Sequence, residues 1–411
     1  MTAADAGFEI TEELRAIAGR SRDRQLCREC FGRVVGRYGH GLTNPERAER
    51  LANALGGTEF AEGAGCRLCE GAFDRWETWI RRAVDAARGF EWHRFTCGSR
   101  WDPELLAREE SLWNEVGSAW GESARTAFNR ELGKRLGAAS GTEGGTQDTD
   151  LVFLVDLPAG RVEVTPAPVY LSGRYRKLDR TLPQTRWPCR RCHGRGCETC
   201  GGTGKTYSES VEELVAGPVL TVTQGEGTRF HGMGREDIDA RMLGSGRPFV
   251  LEILRPRHRA IDPPALQAEI NRTTAGRVEV EQLERADPTS VARVKDASPE
   301  KSYRVVVGGA VDGAKIKESL EFATNRAIAQ RTPRRVAHRR ADRVRTRRIV
   351  EVRLVAHEAG RFTLELRAEA GTYVKEWVEG DDGRTDPSLA QLVGTPLKVE
   401  SLDVLEIHDR E

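Results

Sequence analysis

The chain has 411 residues, enough for two or three domains, with 38% hydrophobic residues and a formal net charge of +1 at pH 7. This composition is typical of a soluble globular protein, and no apolar run approaches the length of a membrane span, so no membrane association is expected. The first seven residues have neither the basic nor the apolar segment of a secretory signal, and we therefore expect a cytoplasmic protein.

Eight of the nine cysteines fall into four C-x-x-C pairs, a pattern that favours metal ligands in a reducing compartment over disulfides. The first two pairs lie within residues 10–88, where the spacing of apolar residues predicts helices. Two such pairs can place four thiolates around one tetrahedral zinc ion. Structural zinc is expected on Cys27, Cys30, Cys66 and Cys69. The alternative is two separate reduced pairs without metal. The remaining Cys97 is typical of a small buried apolar residue.

The segment that begins at Phe90 predicts two helices followed by two strands. The helices are expected over 103–113 and 119–136, a flexible loop over 138–148, and the strands over 151–156 and 160–164. We place a domain boundary near residue 170, because the chain beyond it becomes rich in strand candidates.

A second group of four cysteines lies within the twelve residues 189–200. The ligands expected for a second structural zinc ion are Cys189, Cys192, Cys197 and Cys200. Gly194 and Gly196 allow the tight turns of a compact knuckle, and four protein ligands leave no open position for catalysis. The two C-x-x-C-x-G-x-G units resemble repeats of the Hsp40 cysteine-rich domain. That family has four such units and a His-Pro-Asp tripeptide, which this sequence lacks, so a chaperone is not predicted.

Strands predominate beyond residue 173, which predicts an α+β domain built on a mixed or antiparallel sheet. The strands are expected over 219–223, 248–254, 278–284, 303–307, 349–355, 361–368 and 397–405. Shorter helices are expected over 236–242, 264–272 and 388–392. No G-x-G-x-x-G motif follows a predicted strand, so a dinucleotide-binding fold has no support.

The most informative motif of the chain is Gly234-Arg235-x-Asp237. Glycine lets the backbone turn tightly and leaves room for a large ligand, while the arginine and the acid supply charge at the turn. The motif alone is a weak signal, since an Arg–Asp pair that only fixes a turn gives the same pattern. Asp239 is a competing candidate for a reactive carboxylate, and Glu236 becomes relevant if the turn is shifted by one residue.

Residues 326–348 contain ten arginines and one aspartate, although the chain as a whole is nearly neutral. Arginine suits phosphate oxygens because its planar guanidinium donates two hydrogen bonds at once. A charged run is usually a solvated surface, but this one lies between predicted strands inside a domain. We interpret it as an RNA-contacting loop. The contacts are expected from Arg331, Arg334, Arg335, Arg339 and Arg340.

Two later fragments complete a constellation with Asp237. Tyr303 lies on a predicted strand, and Gly371-Thr-Tyr-Val-Lys375 follows a strand-rich segment. Alone, the first is typical of a half-buried strand residue and the second of a surface charge. In this order, however, the three fragments resemble the sequence motifs of the pseudouridine synthase superfamily. The resemblance implies that Asp237 carries the reactive carboxylate, that Tyr303 stacks on the target base, and that Lys375 pairs with the aspartate.

Matching stretches cover nearly the whole chain and resemble the archaeal-type tRNA pseudouridine synthases that act at positions 54 and 55 of the T arm. The resemblance implies an N-terminal zinc-binding region, 1–88, a THUMP-like RNA-binding module, 89–172, and a catalytic domain, 173–411. The implied partner is tRNA, and no obligate protein partner is evident. The implied substrate-binding residues are Arg235, Tyr303, Tyr373 and Lys375.

The implied reaction is an isomerisation of uridine to pseudouridine, in which no atom is gained or lost, so no organic cofactor is expected. Whether one position or both are modified stays open. It also stays open whether the aspartate attacks C1′ of the ribose or removes a proton from the sugar.

Three other classes of protein compete with this interpretation. A metal-dependent nuclease could use Glu236, Asp237 and Asp239, but the eight histidines do not cluster with these acids. A THUMP-bearing methyltransferase or thiolation enzyme would need a glycine-rich cofactor loop or an ATP phosphate loop, and neither motif occurs. The third alternative is a non-catalytic, zinc-containing tRNA-binding protein, in which Asp237 would have no chemical role.

Overall fold

The computed structural model describes residues 8–337 and 340–409. The chain divides into two compact units, Met1–Ala167 and Pro168–Glu411, close to the boundary expected near residue 170. Among the described helices, none combines the length and the apolar character that are needed to cross a lipid bilayer. The two units are described separately below.

The first unit combines helices with a small sheet. Its helices are α1 (Glu12–Ser21), α2 (Arg28–Gly32), α3 (Asn44–Ala54), α4 (Trp76–Ala86), α5 (Pro103–Val116) and α6 (Ala124–Ser140). Its strands are β1 (Arg94–Arg100), β2 (Glu143–Gly144), β3 (Leu151–Asp156) and β4 (Arg161–Pro166). The predicted strand pair is therefore confirmed as β3 and β4, and the loop expected over 138–148 contains the end of α6 and the short β2.

Helix α6 begins at Ala124, later than the predicted start at residue 119. The Ser123 hydroxyl accepts a hydrogen bond from the backbone N–H of Thr126 at 3.1 Å, which caps the helix and fixes its first turn. Helix α5 begins where the sequence predicts, because Asp102 caps it and Pro103 occupies its first turn. Both helices thus begin at a side-chain cap, and α5 also has the proline at its first position that marks a helix start in the sequence.

The sheet of the first unit has the order β2-β1-β3-β4. Strand β1 pairs in parallel with β2 and β3, whereas β3 and β4 are antiparallel. Phe95 and Phe153 are fully buried on one face, with their ring centroids 5.7 Å apart in an edge-to-face contact. Leu136 of α6 belongs to the same buried cluster. This face of the sheet is therefore covered by helices, as an α/β region requires.

The second unit is dominated by strands. Its strands are β5 (Val169–Lys177), β6 (Gly227–Gly232), β7 (Arg241–Leu254), β8 (Val278–Ala286), β9 (Lys301–Gly308), β10 (Ala327–Arg331), β11 (Val344–Glu358), β12 (Arg361–Ala368), β13 (Thr385–Asp386) and β14 (Lys398–Ile407). Its helices are α7 (Val211–Thr223), α8 (Pro263–Thr273), α9 (Thr289–Asp296), α10 (Gly313–Ala323), α11 (Val374–Glu379) and α12 (Leu389–Val393).

The described strands of the second unit form one mixed sheet in the order β13-β10-β11-β12-β9-β14-β7-β5-β8, with β6 paired to β7. Strands β7 and β14 run in parallel, and the other described pairs of this sheet are antiparallel. The predicted α+β class with a mixed sheet is confirmed. Strand β7 diverges from β14 along its length, so that its second half pairs with β6. The loop between β6 and β7 therefore lies beside the point of divergence.

The strand predicted over 219–223 is wrong, because these residues form the last turns of α7. Ser210 caps this helix by accepting a hydrogen bond from the backbone N–H of Glu213 at 3.2 Å. Val211, Val215 and Val219 are fully buried at a spacing of four residues, which is the period of a helix face. Helical packing thus overrides the strand preference of a β-branched run.

The helix predicted over 236–242 is also wrong. Residues 233–240 form the loop between β6 and β7, and the strand begins at Arg241. The backbone N–H of Ala240 donates to the carbonyl of Asp237 at 3.1 Å, which closes a tight turn. The side chain of Glu236 is drawn into the interior, as described next, and this contact is incompatible with a surface helix.

Candidate active site

Gly234 makes the sharp entry into the loop between β6 and β7. Its φ of +77° lies in the left-handed region that favours glycine. A Cβ atom at this position would also lie 3.2 Å from Nη1 of Arg247, so a side chain would crowd the buried arginine. The glycine of the Gly-Arg-x-Asp motif is therefore required by the turn itself.

A buried ion pair holds the loop between β6 and β7 in place. The Nε atom of Arg247 lies 2.9 Å from Oε2 of Glu236, and both side chains are only 1% exposed. The Tyr175 hydroxyl, on β5, donates to the same carboxylate at 2.9 Å. Gln184 donates to the Tyr175 oxygen at 2.9 Å and to the Gly234 carbonyl at 3.0 Å. This network holds Glu236 inside the protein and leaves the next residue, Asp237, at the surface of the loop.

Lys177 secures the loop through its backbone. Its fully buried ammonium group donates to the carbonyl oxygens of Leu182, Asp237 and Ile238 at 2.9, 3.1 and 2.7 Å. Burial lowers the pKa of Lys177, although several surrounding carboxylates oppose this shift. No role for Lys177 was predicted from the sequence. The available signal was its position two residues after Tyr175, since alternate residues of a strand share one face.

The Asp237 carboxylate lies between two cations. Arg335 donates from Nη1 to Oδ1 at 2.6 Å, and Nζ of Lys375 lies 3.5 Å from Oδ2. The Asp237 side chain is 29% exposed, so it remains accessible to a ligand. Lys375 makes closer contacts with Asp239, at 2.8 Å to each carboxylate oxygen. The nearest cation to Asp237 is thus Arg335, a residue that the sequence analysis placed among the RNA contacts.

Arg335 also donates from Nε to Oε1 of Glu376 at 2.6 Å, so that one guanidinium bridges two carboxylates. Burial opposes its charge, but Glu376 and Asp237 outweigh that effect and raise the pKa of Arg335. Burial likewise opposes ionisation of Asp239, but the hydrogen bonds and charge of Lys375 prevail and lower the pKa of Asp239. Arg335 and Asp239 are therefore held in their charged forms within a compact group of opposite charges.

A cleft of about 230 Å³ opens beside Asp237. Its walls include Gly234, Arg235, Asp237, Tyr303, Tyr373 and Lys375. The structure thus brings together the proposed reactive acid and every substrate-binding residue expected from the sequence. Tyr303 lies on β9, and burial raises its pKa to about 12, so its phenol stays protonated near neutral pH. An aromatic wall beside an accessible carboxylate is suited to a flat base such as uracil.

Two models of Pus10 domains match the chain. The model of the Pus10 C-terminal region covers residues 170–408, and the model of the archaeal Pus10 THUMP domain covers residues 79–156. The tRNA pseudouridine synthase Pus10 of Methanothrix thermoacetophila is 41% identical over 93% of this chain and 91% of that protein. The tRNA pseudouridine synthase Pus10 of Archaeoglobus fulgidus is 40% identical over 93% of this chain and 99% of that protein. The Pus10 enzyme of Pyrococcus furiosus is 35% identical over 97% of this chain and 98% of that protein. The chain belongs to the Pus10 family of tRNA pseudouridine synthases.

Membership of the Pus10 family makes the chain an isomerase and confirms the THUMP module. Solved structures give weaker likenesses. The Cbf5-Nop10-Gar1 complex matches with a TM-score of 0.31 and 17% identity over 48% of this chain and 45% of that chain. An H/ACA RNP bound to a substrate RNA that contains 2′-deoxyuridine gives a TM-score of 0.29 and 13% identity over 57% and 47% of the chains. Likenesses at this level support no further conclusion.

The basic segment of this Pus10 chain is not a loop throughout. Residues 327–331 form β10 and residues from Val344 onward form β11, and the described part of the connection between them includes a short 3₁₀ helix, Arg334–Val336. Arg331 is paired with Asp342, and Arg334 with Asp382, while Arg340 lines the cleft. Arg339, also expected to contact RNA, lies outside the described residues. Part of the positive charge is therefore matched by acids of the same unit, which the count of arginines does not reveal.

Each group of four cysteines has the geometry of a metal site. Within each group the sulfur atoms lie within 4.8 Å of one another. Cys27 and Cys69 have their sulfurs 3.7 Å apart, and Cys189 and Cys197 have theirs 3.9 Å apart. Thiolates bound at 2.3 Å to a tetrahedral zinc ion would be about 3.8 Å apart. Both groups can therefore hold a metal ion without rearrangement.

Lys301 is a cleft residue that the sequence analysis missed. Its pKa is lowered from 10.5 to about 8 by burial and by the charge of Arg247. Between about pH 8 and pH 10.5 the unfolded chain binds more protons at Lys301 than the folded protein does. The free energy of unfolding therefore increases as pH rises from about 8 to about 10.5, and the folded state becomes more stable. We expect Lys301→Met to lose this increment in denaturant titrations at pH 7 and pH 10, whereas replacement of the exposed Lys398 by Met retains it. Identical pH dependence in Lys301→Met and wild type would contradict the assignment.

Proposed function

We propose that this Pus10 member converts uridine to pseudouridine at positions 54 and 55 in the T arm of tRNA, with Asp237 as the reactive carboxylate. The observation that carries the proposal is the convergence of Asp237, Arg335, Lys375 and Tyr303 on one accessible cleft. The family supplies the reaction, and the geometry supports the assignment of roles to these side chains. The resemblance of the motifs to T-arm enzymes supports the choice of positions.

In this proposal the N1–C1′ glycosidic bond of uridine breaks, the uracil turns, and a C5–C1′ bond replaces the lost bond. The hydrogen on C5 leaves as a proton and N1 gains one, so atoms and electrons balance without a redox cofactor or a nucleotide. Asp237 acts in its ionised form, whether it attacks C1′ or removes a sugar proton. Arg335 and Lys375 place two positive charges beside that carboxylate.

Tyr303 is proposed to stack on the uracil after the base leaves its helix. Burial raises the pKa of Tyr303 to about 12, so the phenol carries its proton near neutral pH in the resting site. Arg235 is exposed at the mouth of the cleft and is proposed to hold the displaced strand. The T loop is already bent and partly unstacked, which reduces the cost of extruding a base compared with a duplex.

The test uses purified protein and unmodified tRNA transcripts that carry uridine or cytidine at positions 54 and 55. Carbodiimide adducts mapped by primer extension locate each pseudouridine. We expect stops at both positions with the natural transcript and at the remaining position when one uridine is replaced. Tight binding of the transcript without any pseudouridine would instead favour a non-catalytic tRNA-binding protein.

We further propose that both cysteine groups bind structural zinc. Four thiolates per group satisfy a tetrahedral ion and leave no position for substrate, so the ions stabilise the fold and take no part in the chemistry. The zinc-binding region 1–88 and the THUMP-like region 89–172 are proposed to bind the RNA, and the catalytic domain 173–411 to modify it.

Cys66→Ser is expected to lower the zinc content from two ions per chain to one and to reduce the melting temperature, because metal binding contributes directly to folding. Cys192→Ser is expected to remove the other ion. Cys97 lies outside both groups, so Cys97→Ser provides a matched control with unchanged zinc content. Zinc content is measured by mass spectrometry of the intact, folded protein. Two ions retained in Cys66→Ser would rule out this assignment.

A further inference from the structure

A second cavity, of about 280 Å³, adjoins the catalytic cleft. Its walls include Pro183, Gln184, Trp187, Arg235 and Ile238. Asp237 lines both cavities, as do Arg235, Arg335 and Lys375. The reactive carboxylate therefore forms part of the boundary between the cleft that faces Tyr303 and a pocket that faces Trp187. We call the second cavity the Trp187 pocket.

Trp187 is half-buried and is held in place by the segment that carries the second cysteine group. Its carbonyl accepts a hydrogen bond from the backbone N–H of Thr206 at 2.9 Å. The ring of Tyr207 packs edge-on against the indole, with centroids 5.7 Å apart and an interplanar angle of 84°. Pro188 and Lys205 form a β-bridge next to these contacts. The cysteine knuckle thus begins and ends beside Trp187, and its closure fixes the position of the indole.

One cation, Arg235, stands at the rim of the Trp187 pocket. Arg235 is exposed, and its Nη2 atom donates to the hydroxyl of Thr185 at 2.9 Å, which holds the guanidinium at the rim. Arg335 and Lys375 on the shared wall are paired with Asp237 and Asp239, which line the same pocket, so Arg235 is the cation left for a phosphate among the described lining residues. An aromatic surface with a cation at its rim is an arrangement that binds single-stranded nucleic acid, where bases stack on aromatic rings and phosphates meet cations.

RNA is a continuous chain, so a uridine in the catalytic cleft brings its neighbours within one phosphodiester of Asp237. The Trp187 pocket is a cavity that such a neighbour can reach. We propose, on the basis of the function proposed above, that the Trp187 pocket holds the nucleobase next to the target uridine, stacked on Trp187. The second cysteine group then acts as a positioning element for substrate through Trp187, without touching the reacting atoms.

The test is a double-mutant cycle between protein and RNA. Dissociation constants are measured for a T-arm stem-loop and for two versions in which the nucleotide before or after the target is abasic. Trp187→Ala is expected to weaken binding of the intact RNA roughly 10-fold, the effect of one lost stacking contact. One of the two abasic versions is expected to weaken binding to the wild type equally. Together the two changes are expected to cost no more than either alone.

Trp187→Phe keeps an aromatic ring and is expected to retain most of the affinity. Phe322→Ala removes an exposed aromatic of α10 outside both cavities and serves as the matched control with unchanged binding. The proposal would be overturned if, for both abasic RNAs, the loss of affinity caused by Trp187→Ala multiplied with the loss caused by the missing base. It would also be overturned if a folded Trp187→Ala variant bound the intact RNA with an unchanged dissociation constant.

Pseudouridine mapping on the same stem-loop separates the pocket from the reaction. If the dissociation constants show coupling between Trp187 and a neighbouring base but no pseudouridine forms, the proposed T-arm reaction is wrong and the proposed base-binding pocket is retained. If pseudouridine forms but the dissociation constants show no coupling, the proposed base-binding pocket is wrong and the proposed reaction is retained.

Discussion

Asp237→Asn is expected to reduce the rate of pseudouridine formation by about 10⁴-fold or more, while the affinity for tRNA changes little. An amide has nearly the shape of a carboxylate, so the loop and its buried anchor stay intact. It carries no negative charge, however, and can neither attack C1′ nor accept a sugar proton. The measurement is a single-turnover rate on a T-arm transcript, together with a dissociation constant.

Asp239→Asn is the matched control, since Asp239 is two residues away and shares the contact with Lys375. Its carboxylate is much more exposed than that of Asp237, at 68% against 29%, and it does not line the cleft that contains Tyr303. We expect a loss of rate smaller than about 10-fold, from disturbance of the Lys375 position. A larger loss for Asp239→Asn than for Asp237→Asn would exchange the roles of the two acids.

Glu236→Gln is expected to lower the free energy of unfolding by about 3–5 kcal/mol, the usual cost of removing one partner from a buried ion pair. Arg247 is fully buried, and the substitution leaves its charge without a counter-ion. The measurement is denaturant unfolding of the full chain, with the transition of the second unit followed separately. The loop that carries Asp237 is also expected to lose its fixed position, so activity should fall with stability.

The control for this prediction is Glu269→Gln. Glu269 pairs with Arg272 on the surface of α8, and exposed pairs of this kind contribute little to stability. A double variant, Glu236→Gln with Arg247→Met, is expected to be more stable than Glu236→Gln alone, because it removes the unmatched charge. Equal stability of Glu236→Gln and wild type would mean that the buried pair does not anchor the loop.

Much of the fold could be predicted where side-chain alternation was strong. Residues 361–368 alternate between buried and less buried positions, and the predicted strand coincides with β12. The run that ends α7 could not be assigned correctly, because its β-branched residues favour a strand locally. Only the cap at Ser210 and burial against the sheet reveal the helix, and those contacts depend on the tertiary structure.

The candidate site shows the same division between local and long-range information. Asp237, Tyr303 and Lys375 belong to short motifs, so roles could be proposed for them from a resemblance. The contact of Arg335 with Asp237 joins residues 98 positions apart, and nothing in a run of ten arginines distinguishes this one. Lys177 was equally hidden, because a lysine in a strand gives no sign that it is buried against three carbonyl groups.

The bridge from Arg335 to both Asp237 and Glu376 has a consequence for the order in which the protein is made. Arg335 follows Asp237 by 98 positions, and Glu376 follows Arg335 by a further 41. A ribosome therefore releases the proposed reactive acid long before the cation that contacts it and the second acid that contacts that cation. Until those later residues emerge, the carboxylate is without its neighbours, and a nascent chain that already presents its proposed RNA-binding regions is expected not to modify RNA. The ability to modify RNA is thus expected late in synthesis, after the proposed RNA-binding regions have emerged.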